Sequence, residues 1–138
     1  MALDAQTRNM LKTGLGMTDA DLNRLGPNIQ AVLAHMADFG KYKFVAECTE
    51  SKYCFAGIKA GQKYVFSSAP LSLLPETTCP TCMRALAPIT GILNIMMDRI
   101  TSGMKPDPEL FQVAECLDPG LDRGGLGHVV FRVYAQKA

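Results

Sequence analysis

Lys41-Tyr42-Lys43-Phe44-Val45-Ala46-Glu47-Cys48 is where the hydrophobic period of this chain changes from helical to extended. Tyr42, Phe44, Ala46 and Cys48 fall on one side of an extended backbone, with Lys41, Lys43, Val45 and Glu47 opposite. That alternation predicts a half-buried strand ending at a cysteine. Upstream, Thr18 can cap the first amides of a helix while Asp21 reaches back, and Met17 and Leu22 sit where a hydrophobic staple closes. Pro27 suits the first turn of a further helix that carries Ile29, Val32, Leu33 and Met36 on one stripe and stops at Gly40. A weaker helix covers about Asp4 to Lys12, with Gly14 or Gly16 as its stop. His35 lies outside the stripe and reads as a solvated residue.

Downstream, Tyr53 to Phe55 and Lys63 to Phe66 are short aromatic or β-branched runs separated by Gly57 and Gly61, as strands around a turn would be. Leu110 to Cys116 and His128 to Tyr134 alternate again. Between these groups runs one long apolar helix, Pro80 to Thr101, with Gly103 and Pro106 as stop signals. Its apolar residues extend beyond the ~100° stripe of an ordinary surface helix. The rows Leu86, Leu93, Ile100 and Ile89, Met96, Gly103 suggest one face for the sheet and one for a partner. The expected fold is α+β: a single domain with a mostly antiparallel sheet of about five strands, one long apolar helix and an N-terminal helical segment. Residues 1–40 form that segment, and residues 41–138 a cysteine-containing unit packed with it as one compact body.

The 138 residues suffice for a real core without disulfides. Fourteen basic and 13 acidic residues are spread without blocks, so no strong field favours nucleic acid or anionic lipid. Ala85 to Met97, the longest apolar run, falls short of the ~20 residues that span a bilayer, so no membrane segment is expected. The opening Met1-Ala2-Leu3-Asp4-Ala5-Gln6 lacks the basic and apolar regions of an export signal, and a cytoplasmic location is expected.

Five cysteines without an export signal point to metal ligation or redox chemistry rather than a disulfide framework. Cys79-Pro80-Thr81-Cys82 is the sharpest signal. Two thiols at this spacing can share an ion, and Pro80 at a first helical position would set both near a helix N-terminus, where thiolate is favoured. Cys48, Cys54 and Cys116 also stand at predicted element ends. If those ends converge, Cys54, Cys79, Cys82, Cys116 and Cys48 supply the ligands of a metal ion, zinc in preference to an iron–sulfur cluster. Buried cysteine also packs as a small hydrophobe, and Cys48 and Cys116 continue the apolar faces of their strands. A thiol–disulfide pair at Cys79 and Cys82, with Cys116 as resolving partner, is the alternative; the preceding Leu74-Pro75-Glu76-Thr77-Thr78 is a loop, not the strand of a thioredoxin-like unit. A third reading is a small-ligand enzyme beside the cysteines with His128 as acid or base. Gly124-Gly125-Leu126-Gly127 before it is a weak phosphate signal, because no helix follows.

Four segments carry a family resemblance: Cys54 through Tyr64, Cys82 through Pro88, Cys116-Leu117-Asp118-Pro119, and Val129-Val130-Phe131-Arg132-Val133. Together they resemble a family of short, uncharacterised prokaryotic proteins with Cys, Gly, Lys and Gly before a strand, a Cys opening a helix, and Cys-Pro-Asp-Pro before a closing Val-Val-Phe-Arg strand. The resemblance implies a recurring thiol set at Cys54, Cys82 and Cys116, with Cys48 and Cys79 additional. The sequence departs from that pattern at Ile58, where a His is expected, at Gln62, where Asp is expected, and at Leu117 in place of Pro. The resulting expectation is a small cytoplasmic metal-binding accessory protein or enzyme subunit that forms a homodimer or meets a protein partner through the 80–101 helix.

Overall fold

A computed structural model describes residues 3–138; Met1 and Ala2, at the head of the run read as lacking an export signal, lie outside the described residues. The chain divides into two units, Met1–Asp38 and Phe39–Ala138.

The first unit is helical. Helix α1, Ala5–Leu15, starts where the Asp4 carboxylate accepts from the Thr7 amide at 2.7 Å and ends at Gly16, whose φ of 70° is a left-handed cap. Helix α2, Asp19–Leu22, opens with the expected box: Asp21 N–H donates to Thr18 Oγ1 at 3.1 Å and Thr18 N–H to Asp21 Oδ2 at 2.9 Å. Helix α3, Pro27–Ala34, has Pro27 in its first turn. It does not run on to Gly40. The helix stops at His35, and a single turn, α4, Met36–Phe39, follows. His35 is not solvated as expected, for its Nδ1 stands 2.9 Å from Asp38 Oδ2 and the pair is partly buried.

The second unit holds one antiparallel sheet of four strands, ordered β2-β1-β4-β3. These are β1, Tyr42–Lys52; β2, Lys63–Ser67; β3, Val113–Glu115; and β4, His128–Lys137. Five strands were expected. The run Tyr53 to Phe55 is not one of them, because β1 pairs with β4 as far as Lys52 and Tyr53 then turns to a φ of 54°, which breaks the ladder. Leu110 to Cys116 shrinks to three paired residues, with Leu110 and Phe111 exposed.

The strand expected to be half-buried and to end at Cys48 instead runs on to Lys52 and is buried on both faces at Phe44, Val45 and Ala46; register sorts its side chains by face, because directly opposed residues share a side of the sheet. Phe44 opposes Phe66 and Ala135, Ala46 opposes Tyr64 and Val133, Cys48 opposes Phe131, and Phe131 opposes Ala114. Tyr64 anchors this face, its ring 5.7 Å from that of Phe131 and 6.2 Å from that of Phe66. Helix α5, Met83–Thr101, packs on β3 and β4 and buries Ala85, Ile89, Ile92, Leu93, Met96 and Ile100. That set is one stripe at helical spacing, while Arg84, Thr90, Asn94 and Asp98 on the other faces are polar or charged and exposed. The helix is therefore amphipathic rather than apolar all round, and the two rows expected to divide between sheet and partner are both buried at Leu93, Ile100, Ile89 and Met96. No helix among the described residues is long and apolar enough to cross a membrane.

Candidate functional site

Three segments bring thiols to one small space. Cys54 follows the left-handed Tyr53 at the end of β1, Cys82 caps α5, and Cys116 follows β3. Together with Arg84, Asp118, Val129 and neighbours they line a cavity of about 40 Å³. A single water needs roughly 10–15 Å³, so the space suits one ion. Among the described residues, no three His, Cys, Asp or Glu side chains stand close enough together, as placed, to hold a metal ion.

Cys48 and Cys79 do not line that cavity. Both are buried, at 1% and 6% exposure, Cys48 in β1 and Cys79 in the loop before α5. Helix α5 begins at Met83 rather than Pro80, so Cys79 lies outside its first turn. The expected lowering of its pKa by the helix end is overturned: burial, with Cys48 adding to it, pushes the Cys79 thiol up to about 12. Burial likewise raises Cys48 and Cys116. Cys79 interacts electrostatically with Cys48 and Cys54, and Cys116 with Cys82 and Cys54, so the five thiols form one neighbourhood in two layers. All five are free thiols.

Proline helps to join α5 to the strand bearing Cys116. Pro88 lies inside α5 and has no N–H to give the carbonyl of Arg84 one turn earlier. Leu117 N–H donates to that carbonyl instead, at 3.1 Å. The residue after Cys116 is thus tied to the turn that follows Cys82.

Asp118 holds the third side. Its carboxylate accepts from the amides of Gly120, Leu126 and Gly127 at 3.1, 2.9 and 2.9 Å, and its own N–H reaches Cys116 Sγ at 3.5 Å. The Gly127, Gly120 and Leu126 amides hold its pKa below the usual carboxylate value. The loop so closed presses Gly127 against Cys54: a Cβ there would come within 2.6 Å of the Tyr53 carbonyl oxygen and 3.2 Å of Cys54 Cα. A glycine is required at that contact. Asp118, Gly127 and Pro88 are the site residues that cysteine spacing did not single out, although Asp118-Pro119-Gly120 is a turn signal.

The glycine-rich stretch is no phosphate cradle, since Asp118 takes the amides of Leu126 and Gly127, and Gly125 N–H donates to the Gly120 carbonyl at 2.9 Å. A second, larger cavity of about 500 Å³ adjoins the thiols and shares Cys116 and Asp118 with the first. His128 is on its wall, with Nε2 3.8 Å from Glu115 Oε1.

Comparison with protein-family models, curated proteins and solved structures finds no match to this chain.

Proposed function

We propose that this chain is a small metal-binding accessory protein or enzyme subunit in which Cys54, Cys82 and Cys116 close on one ion. The observation that carries the reading is that these three thiols, from three separate segments, line a single cavity of about 40 Å³. Ligation draws the sulfurs inward from where they stand and removes their protons, because a coordinated thiol is deprotonated outright. Zinc suits the space better than an iron–sulfur cluster, which adds several iron and sulfide atoms to the same volume. Arg84 on the cavity wall offsets part of the negative charge of three thiolates. Cys79 or Cys48 would supply a fourth sulfur from the buried layer, and water would otherwise complete the tetrahedron.

An accessory protein needs a partner. Phe55, exposed at 94%, and the exposed Met83 and Leu117 stand in or beside the segments that carry the three thiols and offer apolar contact there. The redox alternative at Cys79 and Cys82 would have to use the half-buried Cys82 as the attacking sulfur, because burial pushes the Cys79 thiol up to about 12 and leaves it a poor attacking group at neutral pH.

Anaerobic purification followed by elemental analysis tests the reading. About one zinc per chain is expected, with loss of binding when Cys54, Cys82 and Cys116 are all changed to serine. A wild-type chain that takes up no metal on reconstitution, and whose melting temperature a chelator leaves unchanged, would refute it.

A further inference from the structure

The 500 Å³ cavity lies within the ~300–1,000 Å³ range of sites for small organic molecules. Its charged groups divide into those already engaged and those free. Asp118 is held by three amides, whereas Glu115 stands 3.8 Å from His128, beyond hydrogen-bond distance, and keeps its acceptor capacity. Among the described residues, Lys52 and Arg123 have no carboxylate partner; Lys52 Nζ instead stands 5.2 Å from the centre of the Tyr53 ring. The amides of Gly120, Leu126 and Gly127 are donated to Asp118 and those of Arg123 and Gly125 to the Gly120 carbonyl, and the cationic donors left to face an anion are these two side chains. Arg123 offers the planar fork that matches a carboxylate. Asp122 and Glu115 on the same wall oppose a doubly charged phosphate and accept hydrogen bonds from a donor. Tyr53, Leu121 and Leu126 supply apolar surface between the charges.

We infer that this cavity binds a small amino or hydroxy acid with an apolar body. Its single carboxylate meets Arg123 and Lys52, its amino or hydroxyl group meets Asp122 and Glu115, and its apolar body lies against Tyr53, Leu121 and Leu126. The molecule is seated beside Cys116, the wall common to both cavities. Binding does not depend on the metal reading, since none of these contacts uses a coordinated thiolate.

The test titrates the full chain with L-phenylalanine and with 3-phenyllactate, following backbone amides by NMR, first metal-free and then with zinc. Saturable shifts at Tyr53, Leu126 and His128 are expected in both forms with at least one of these acids. Phenylalaninamide, which lacks the carboxylate, and phenyl phosphate should bind about tenfold more weakly or worse, the scale of one charge-assisted hydrogen bond. The double variant Lys52→Ala, Arg123→Ala should weaken the acids to a similar extent, and both positions are exposed, so the fold is retained. No saturable shift with either acid, equal binding of the amide or the phosphate, or unchanged binding in the double variant overturns the inference. Acid binding in a chain that takes up no zinc would overturn the metal reading alone.

Discussion

The Asp118 carboxylate accepts from three amides of its own loop while its backbone N–H reaches Cys116, so this one residue links the Cys116 thiol to the loop that packs against Cys54. Groups that orient metal ligands in this way are commonly worth about 10–100-fold in affinity. Asp118→Ala is therefore expected to weaken zinc binding by about 10-fold or more, measured by competition with a chromogenic chelator, while far-UV circular dichroism stays at the wild-type value. Unchanged affinity would mean that the loop holds its shape without the carboxylate. Cys79 illustrates the opposite case: the residue most easily picked out by spacing lies behind the cavity, because the chain between Lys63 and α5 turns it inward, with its N–H on the Lys63 carbonyl at 3.1 Å.

Helix α5 shows how an apparent defect positions the site. Proline within a helix costs about 3 kcal/mol relative to alanine, yet Pro88 leaves the Arg84 carbonyl for Leu117 N–H. Pro88→Ala restores a competing donor inside the helix. The expected result is a helix stabilised by up to about 3 kcal/mol in urea denaturation, together with weaker zinc binding. If stability rises and affinity does not fall, the Leu117 bond has no part in placing Cys116. The buried stripe of α5 was legible from its spacing, whereas its polar remainder was masked by Met83, Ile95 and Met97, which made the helix read as apolar all round.

For the molecule as a whole, the two rows expected to divide between sheet and partner are both covered within the chain at Leu93, Ile100, Ile89 and Met96, which leaves Met83 and Ile95 as the exposed large apolar side chains of the helix. Met83, at 74% exposure, stands in the first turn beside the thiols, whereas Ile95, at 37%, is the exposed apolar side chain in the body of the helix. Ile95→Asp is expected to leave the sedimentation coefficient unchanged across a concentration series, and a shift to a smaller species would reinstate the helix as an interface. What the sequence by itself determined was local: the capping box at Thr18 and Asp21, the first-turn Pro27, the two-residue period of Phe44, Ala46 and Cys48, and the separate strand of Phe131 and Val133 all follow from bonds or alternation within a few residues. Only the tertiary structure decided that Tyr53 leaves the sheet, that Cys79 is buried while Cys54, Cys82 and Cys116 share a cavity, and that Asp118 closes the loop around them. Those outcomes depend on the pairing of β1 with β4 and on a backbone carbonyl at Arg84 meeting an amide from a distant segment, and neither long-range register nor the partner of an orphaned carbonyl is written in the residues beside it.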